Sequence, residues 1–183
     1  MYRLFVLLFV LSSCGGDSSV QPKPLGYLGL DYGKPEYITS GVKDTYEFMM
    51  NKQAVFQNLE NGWAKINYPK LRASIDITYR PVDGNLRGLM MESEKLTFSH
   101  AVKADEISAQ PYEDFERGNY GKIYEVKGNA ATNIQFNITD STANFLTASL
   151  YFKVTPNFDS IEPAVKYIES DIKVLMESLR WSQ

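Results

Sequence analysis

The chain has 183 residues, and its 19 Lys and Arg against 22 Asp and Glu give a formal net charge of −3. Both signs of charge are scattered along the sequence, so it offers no basic patch for nucleic acid or for an anionic membrane face. The single cysteine, Cys14, excludes a disulfide within one molecule, and the single histidine, His100, excludes metal sites built on two or three histidines.

Residues 1–13 have the pattern of a signal peptide. Arg3 is followed by an apolar run over residues 4–11, which is far shorter than the roughly 20 residues that a membrane-spanning helix needs. The sequence LSSC at 11–14 resembles the bacterial lipobox, so we expect Cys14 to be acylated and to hold the protein on a membrane. The alternative is an ordinary secretory signal cut before Cys14, which would leave a free N-terminal thiol.

Residues 14–36 are predicted to form a flexible, lipid-anchored tether because glycine, serine and proline recur along them. Ordered structure is then expected to begin near residues 37–42. With about 170 residues after the signal peptide, the chain is long enough for one domain that buries about 70% of the surface its unfolded form exposes. We therefore expect residues 37–183 to form a single domain.

The middle of the chain has the alternating pattern of β-strands. Apolar and polar residues alternate from Leu71 to Arg80, which predicts a strand with one face in the core and the other in water. Similar shorter runs predict strands at 45–50, 54–59, 63–68, 120–126, 132–138 and 144–154. Turn residues at 128–129 and 140–143 separate the last three, which should pair as an antiparallel meander.

Two segments are predicted to be helices, at about 84–102 and about 160–180. The first has Asp83 as a candidate N-cap, and its apolar residues follow a helical stripe: Leu86, Leu89, Met90, Leu96 and Ala101. The second has a stronger stripe from Ile161 to Leu179, preceded by a possible capping box at 159–162. Together these elements predict an α+β fold, with an antiparallel sheet of about six to seven strands covered by the two helices.

The sequence contains no recognisable catalytic arrangement. It has no G-x-S-x-G motif and no glycine-rich phosphate loop, and His100 falls on the apolar side of its predicted helix, where we expect a partly buried side chain. We therefore expect no enzymatic activity, cofactor, metal, nucleic acid or small-molecule substrate.

The segment 103–119 is predicted to be the longest irregular stretch of the domain. Its acidic and aromatic residues make it a candidate for contact with a partner protein, because loops often carry function: Asp105, Glu106, Tyr112, Glu113, Asp114 and Phe115. A solvated acidic loop without a specific role is one alternative. A pair of carboxylates at a catalytic separation of about 5 to 10 Å is another.

Several stretches carry a family resemblance when taken in order. They are PKPLGYL at 22–28, YPK at 68–70 before the strand at 75–82, KADEI at 103–107, YEVKGNAA at 124–131, NFLTASLYF at 144–152 and MESLRW at 176–181. In these the chain resembles the gliding motility lipoprotein GldD family of Bacteroidetes. The resemblance implies a lipid-anchored cell-envelope protein, palmitate-bearing at Cys14, that is needed for gliding and associated with type IX protein secretion, with no catalytic residues to carry over.

The same lineage suggests where the protein resides and how it is modified. Residues 15–18 lack the acidic run associated with export to the outer face, so we expect the domain to face the periplasm. Asp140-Ser141-Thr142 and Asp159-Ser160-Ile161 resemble an O-glycosylation signal of periplasmic proteins, with a turn and a helix cap as the respective alternatives.

Two hypotheses of function follow. The first is a non-enzymatic accessory or assembly factor of the gliding apparatus that recognises an envelope protein through its sheet edge or the 103–119 segment. The second is a periplasmic binding module or hydrolase for a cell-wall or glycan ligand, which needs a concave pocket with two carboxylates or an aromatic platform.

Overall fold

The computed structural model describes residues 32–100, 104–153 and 157–182, without the side chain of His100. The predicted signal peptide, Cys14, most of the tether and the predicted environment of His100 lie outside the described residues. The elements, in chain order, are β1 Tyr37–Val42, β2 Tyr46–Asn51, β3 Val55–Asn58, β4 Ala64–Tyr68, β5 Ala73–Pro81, α1 Leu86–His100, β6 Ala104–Asp114, β7 Asn119–Gly128, β8 Ile134–Thr139, β9 Asn144–Phe152, α2 Phe158–Ser178 and β10 Arg180–Trp181.

The described strands form two antiparallel sheets. The large sheet has seven strands in the order β3-β4-β5-β9-β8-β7-β6, and the small sheet has three in the order β1-β2-β10. The predicted meander of β7, β8 and β9 is confirmed, as is the α+β class. The small sheet was not predicted, because it closes through β10, whose two residues pair with Tyr46 and Glu47 from the other end of the chain.

The hydrophobic core lies on the inner face of the large sheet, between that sheet, α2 and the small sheet. The helix α2 packs against β2 of the small sheet and against β7 and β8 of the large one. Alternate residues of β5 are buried there, namely Ala73, Ile75 and Ile77, and α2 contributes Ile168, Ile172 and Leu175. Each fully buried Ile or Leu stabilises the fold by about 1.5–3 kcal/mol relative to an exposed one. This contact explains why the stripe of α2 is so regular in the sequence.

A buried carboxylate connects the two sheets through α2. Asp171 accepts hydrogen bonds from the hydroxyl of Tyr37 in β1 at 2.9 Å, from Nδ2 of Asn51 in β2 at 2.9 Å and from the hydroxyl of Tyr68 in β4 at 3.0 Å. The predicted capping box of α2 is wrong, since the helix begins at Phe158 and Asn157 occupies the cap position without a side-chain hydrogen bond.

The helix α1 packs on the opposite, outer face of the large sheet, above β8 and β9. Its apolar stripe was predicted to face the core, and this is wrong for two of its members: Met90 and Leu96 are exposed. The buried positions, about one turn apart, are Leu89, which belongs to the predicted stripe, and the polar residues Ser93 and Thr97. Because the outer face of the sheet is polar, the helix presents polar side chains to it. The predicted cap at Asp83 is also wrong, because the helix begins three residues later.

Candidate functional site

The predicted irregular stretch at 103–119 is a β-hairpin instead of a loop from residue 104 onward, and residue 103 lies outside the described residues. Residues Ala104–Asp114 form β6, which pairs with β7, and only Phe115 to Gly118 form the turn. The acidic residues and Pro111 conceal this strand in the sequence, since both are rare in strands. The strand forms because the long strand β7 offers it a partner throughout its length.

The hairpin separates the acidic residues that the sequence grouped together. Asp105 and Glu106 lie at the start of β6 and Glu113 and Asp114 at its end, so the two pairs are about 25 Å apart at 3.4 Å per residue. Glu106 is ion-paired with Lys127 at 2.9 Å. A catalytic carboxylate pair drawn from the two ends is therefore excluded by the geometry.

Two of the candidate contact residues hold the hairpin in place. The hydroxyl of Tyr112 donates a hydrogen bond to the carbonyl oxygen of Met176, 3.1 Å away at the end of α2. Asp114 accepts hydrogen bonds from the backbone N–H groups of Glu116 and Arg117 and forms an ion pair with the Arg117 guanidinium at 2.8 Å. That guanidinium holds the pKa of Asp114 below its ordinary value. The turn is thus fixed by its own side chains.

The end of the hairpin exposes an aromatic side chain on this fixed turn. Phe115 is 76% exposed and touches Tyr120 edge-on, with ring centroids 6.1 Å apart. Glu113 beside it is also exposed. We call residues 113–120 the hairpin tip. An exposed aromatic ring within a charged surround has the composition of a protein-contact anchor.

The free edge of β6 is poorly suited to pairing with another strand. A register shift interrupts the ladder between Ala104 and Glu106, and Pro111 has no N–H group to donate. Natural proteins use bulges, prolines and charges in this way to prevent edge-to-edge association. Of the two contact modes considered from the sequence, the geometry therefore favours side-chain contact at the hairpin tip over strand addition along the edge.

A cleft of about 370 Å³ opens on the outer face of the large sheet, beside α1. Its floor is formed by polar side chains of the central strands: Lys65, Asp76, Thr78, Gln135, Thr147 and Ser149. Leu59 and Trp63 form one wall, Leu96 of α1 forms the other, and Tyr151 lines it as well. We call this the outer cleft. Sequence reasoning missed it, although the alternation in β5 did mark the polar face on which it lies.

The helix α1 rests on this polar face through few polar contacts, and an exposed ion pair joins its Glu92 to Arg80 of β5 at 3.0 Å. Thr97 donates to Oε1 of Gln135 and Nδ2 of Asn137 donates to Oγ of Ser93, both at a long 3.4 Å. A second cavity of about 330 Å³ lies on the other side of the helix, next to β7, and the buried Oδ1 of Asn137 has no hydrogen-bond partner among the described groups. The helix therefore covers the sheet only along a narrow strip.

The two predicted glycosylation positions differ in exposure. Ser141 is exposed in the turn between β8 and β9, where Asp140 accepts hydrogen bonds from the backbone N–H groups of Thr142, Ala143 and Asn144. The segment is therefore a turn, and glycosylation of Ser141 stays a prediction. Ser160 is half-buried in the first turn of α2. It is not the cap residue.

Neither helix in the described ranges is long and apolar enough to cross a bilayer. Within the same part of the chain, no three or more His, Cys, Asp and Glu side chains lie together as metal ligands would.

Comparison with known proteins identifies the family. A comparison with curated proteins gives no significant match. The model of the family described as gliding motility lipoprotein GldD matches residues 17–181, from the predicted tether to β10. This family comprises lipoproteins associated with gliding motility and is not a known family of enzymes. Because the match covers both sheets and both helices, the chain belongs to the gliding motility lipoprotein GldD family.

Proposed function

We propose that this protein is a lipid-anchored accessory or assembly factor of the gliding apparatus, linked to type IX protein secretion, and that it contacts another envelope protein through the hairpin tip. The family match supports the gliding role. The observation that carries the contact surface is the 76% exposure of Phe115 on a turn fixed by its neighbours.

The proposed anchor is the lipid on Cys14. In this proposal residues 1–13 are removed as a signal peptide, residues 14–36 form the tether, and residues 37–183 form one domain in the periplasm. An extended tether of this length reaches up to about 75 Å at about 3.4 Å per residue. Because two or more acyl chains are needed for stable attachment, a multiply acylated Cys14 keeps the domain within this distance of one membrane.

Rigidity supports the hairpin tip as the contact surface. A side chain on a fixed turn loses little conformational entropy on binding, so more of its interaction energy remains as affinity. Phe115 supplies apolar area, while the charged side chains around it, Glu113, Glu116 and Arg117, favour a partner with complementary charges. Such central aromatic anchors commonly contribute about 2 kcal/mol or more to a protein interface.

The test is a mild crosslink and affinity capture of the full-length lipidated protein from gliding cells. We expect Phe115→Ser to lose the captured envelope proteins. The matched control is Phe98→Ser, which removes another exposed phenylalanine on a different element, the helix α1, and should retain them. Equal capture by wild type and Phe115→Ser would reject the contact surface, and an absence of gliding or secretion proteins from every capture would reject the function.

The link to secretion and the periplasmic orientation need separate measurements. We expect deletion of the gene to reduce export of the gliding adhesins as well as colony spreading, and protease added to intact cells to leave the domain uncut. Normal adhesin export from a deletion strain that no longer spreads would contradict the secretion link.

The hydrolase alternative finds little support in the outer cleft. Asp76 is the single carboxylate among the described residues that line it, and this group is ion-paired with Lys65 at 3.0 Å and accepts a hydrogen bond from Ser74. A glycosidase normally uses two carboxylates across the scissile bond. The cleft therefore supports binding better than hydrolysis.

A further inference from the structure

We propose that the outer cleft binds a neutral saccharide of one or two rings, with its hydroxyl groups on the polar floor and its C–H face against Trp63. This inference is independent of the protein contact at the hairpin tip. It rests on the register of the floor, on its charge balance and on the composition of the walls.

The floor consists of two polar rows that run across the strands in register. The first row, from β4 to β8, is Lys65, Asp76, Ser149 and Gln135. The second, on β5 and β9, is Thr78 and Thr147. Gln135 is buried and already hydrogen-bonded to Thr132 and Ser149. Thr78 and Thr147 are half-buried, and polar side chains in such positions are unfavourable unless they find hydrogen-bond partners. A ligand with many hydroxyl groups would supply both donors and acceptors to these rows.

The charges of the floor cancel. Lys65 and Asp76 are the charged residues among the described lining, and their Nζ and Oδ2 atoms lie 3.0 Å apart. A phosphate or another acidic ligand would meet no unbalanced positive charge in the cleft. The balance favours a neutral ligand whose hydroxyl groups can both donate to the carboxylate and accept from the ammonium group.

The walls are apolar and include a fixed aromatic ring. Trp63 is 44% exposed, and its indole N–H donates to the carbonyl oxygen of Tyr79 at 3.2 Å, which holds the ring in position. Leu59 lies on the same side and Leu96 on the other, both exposed. A pyranose ring combines a C–H face with polar edges, so it matches an apolar wall beside a polar floor.

The volume of the outer cleft and the backbone pairing of its strands also favour a small saccharide. About 370 Å³ lies within the range of small-ligand pockets. The strands of the floor are central in the sheet, with β4, β5 and β9 each paired on both sides, so their backbone groups are already hydrogen-bonded. A peptide strand could not pair there, whereas a saccharide requires only the side chains.

The test uses the full-length lipidated protein in micelles of a zwitterionic detergent, because detergents with sugar headgroups would compete. Three neutral disaccharides, N,N′-diacetylchitobiose, cellobiose and maltose, and a tetraserine peptide are titrated by calorimetry and tryptophan fluorescence. We expect at least one disaccharide to bind with a Kd of about 1 mM or tighter. Trp63→Leu should weaken that binding about tenfold or more, since stacking on the ring is lost.

Two further variants keep the result interpretable. Thr147→Val preserves the shape of the floor and should weaken binding about fivefold through the loss of one hydroxyl group, which provides the same test if Trp63→Leu does not fold. Phe115→Ser should bind the sugar like wild type, so failure of this inference and failure of the contact at the hairpin tip are distinguishable. Binding of none of the three sugars, equal binding by Thr147→Val, or binding of tetraserine in their place would overturn the assignment.

Discussion

Removal of the Asp171 carboxylate should destabilise the protein by about 2–4 kcal/mol. Asp171 is 3% exposed, and Asp171→Ala leaves Nδ2 of Asn51 and the hydroxyl of Tyr68 buried with one acceptor fewer. Each unsatisfied buried donor costs about 1–3 kcal/mol, and relief of the desolvated charge offsets part of this loss. Tyr37 contributes less, because its half-buried hydroxyl can turn to water. Urea unfolding followed by circular dichroism measures the difference.

The pH dependence provides a second, independent check on the same group. Burial raises the pKa of Asp171 above its ordinary 3.8, although the hydrogen bonds from Asn51, Tyr37 and Tyr68 act in the opposite direction. Between 3.8 and the raised pKa, the folded protein holds more protons than the unfolded chain, so its free energy of unfolding falls as the pH rises. Asp171→Asn lacks this titration.

The expected result is therefore a difference between two unfolding curves. We expect the free energy of unfolding of the wild type minus that of Asp171→Asn to decrease as the pH rises above 3.8. An increase over that interval would mean that the three hydrogen bonds outweigh burial and would refute the reasoning. A cost below about 1 kcal/mol for Asp171→Ala would refute the claim that the carboxylate connects the two sheets.

Further predictions concern the backbone, the hairpin and α1. Gly121→Ala should destabilise by about 3 kcal/mol, because the added Cβ would lie 2.0 Å from the backbone oxygen of Asn137; an unchanged urea midpoint would contradict this. The Cβ added by Gly88→Ala in α1 has no other atom within 4 Å, so this variant should stabilise the protein by about 0.5–1 kcal/mol; a loss of stability would contradict this. Tyr112→Phe removes the hydrogen bond to Met176 and should lower the free energy of unfolding by about 1 kcal/mol, with faster amide exchange in β6. Unchanged exchange there would show that this hydrogen bond does not hold the hairpin. The amides of α1 should exchange faster than those of α2, since α1 rests on a narrow polar contact, and equal protection would contradict that description.

The elements that the sequence predicted well are those whose pattern matches their surroundings. The helix α2 has an apolar stripe because it packs on the inner face of one sheet and against the other, and β5 alternates because one of its faces lies in the core. In both elements the periodicity of the sequence agrees with the burial of the side chains, so the pattern alone was sufficient to predict the element. The α+β class followed directly from these elements.

The elements that the sequence did not predict depend on distant partners. Strand β6 contains Pro111 and several acids, so its strand character arises from pairing with β7 and not from its own residues. The exposed apolar residues Met90 and Leu96 of α1 were placed in the buried stripe because the stripe alone does not indicate the polarity of the surface that the helix covers.

The candidate site was predictable only in part for the same reason. Phe115 and its acidic neighbours were recognised as a surface group from composition, but their position on a fixed turn depends on Tyr112 reaching α2. The outer cleft combines residues of the first half of the chain, such as Trp63 and Asp76, with Thr147 from near the other end. No local pattern brings these residues together.

The most direct test of the central claim is complementation of a deletion strain in a gliding bacterium that carries this gene. We expect the wild-type gene to restore spreading colonies and adhesin export, and Cys14→Ser to leave the protein detached from membranes and the cells non-spreading. Normal spreading of the deletion strain itself, or full rescue by Cys14→Ser with the protein in the soluble fraction, would contradict a lipid-anchored role in gliding.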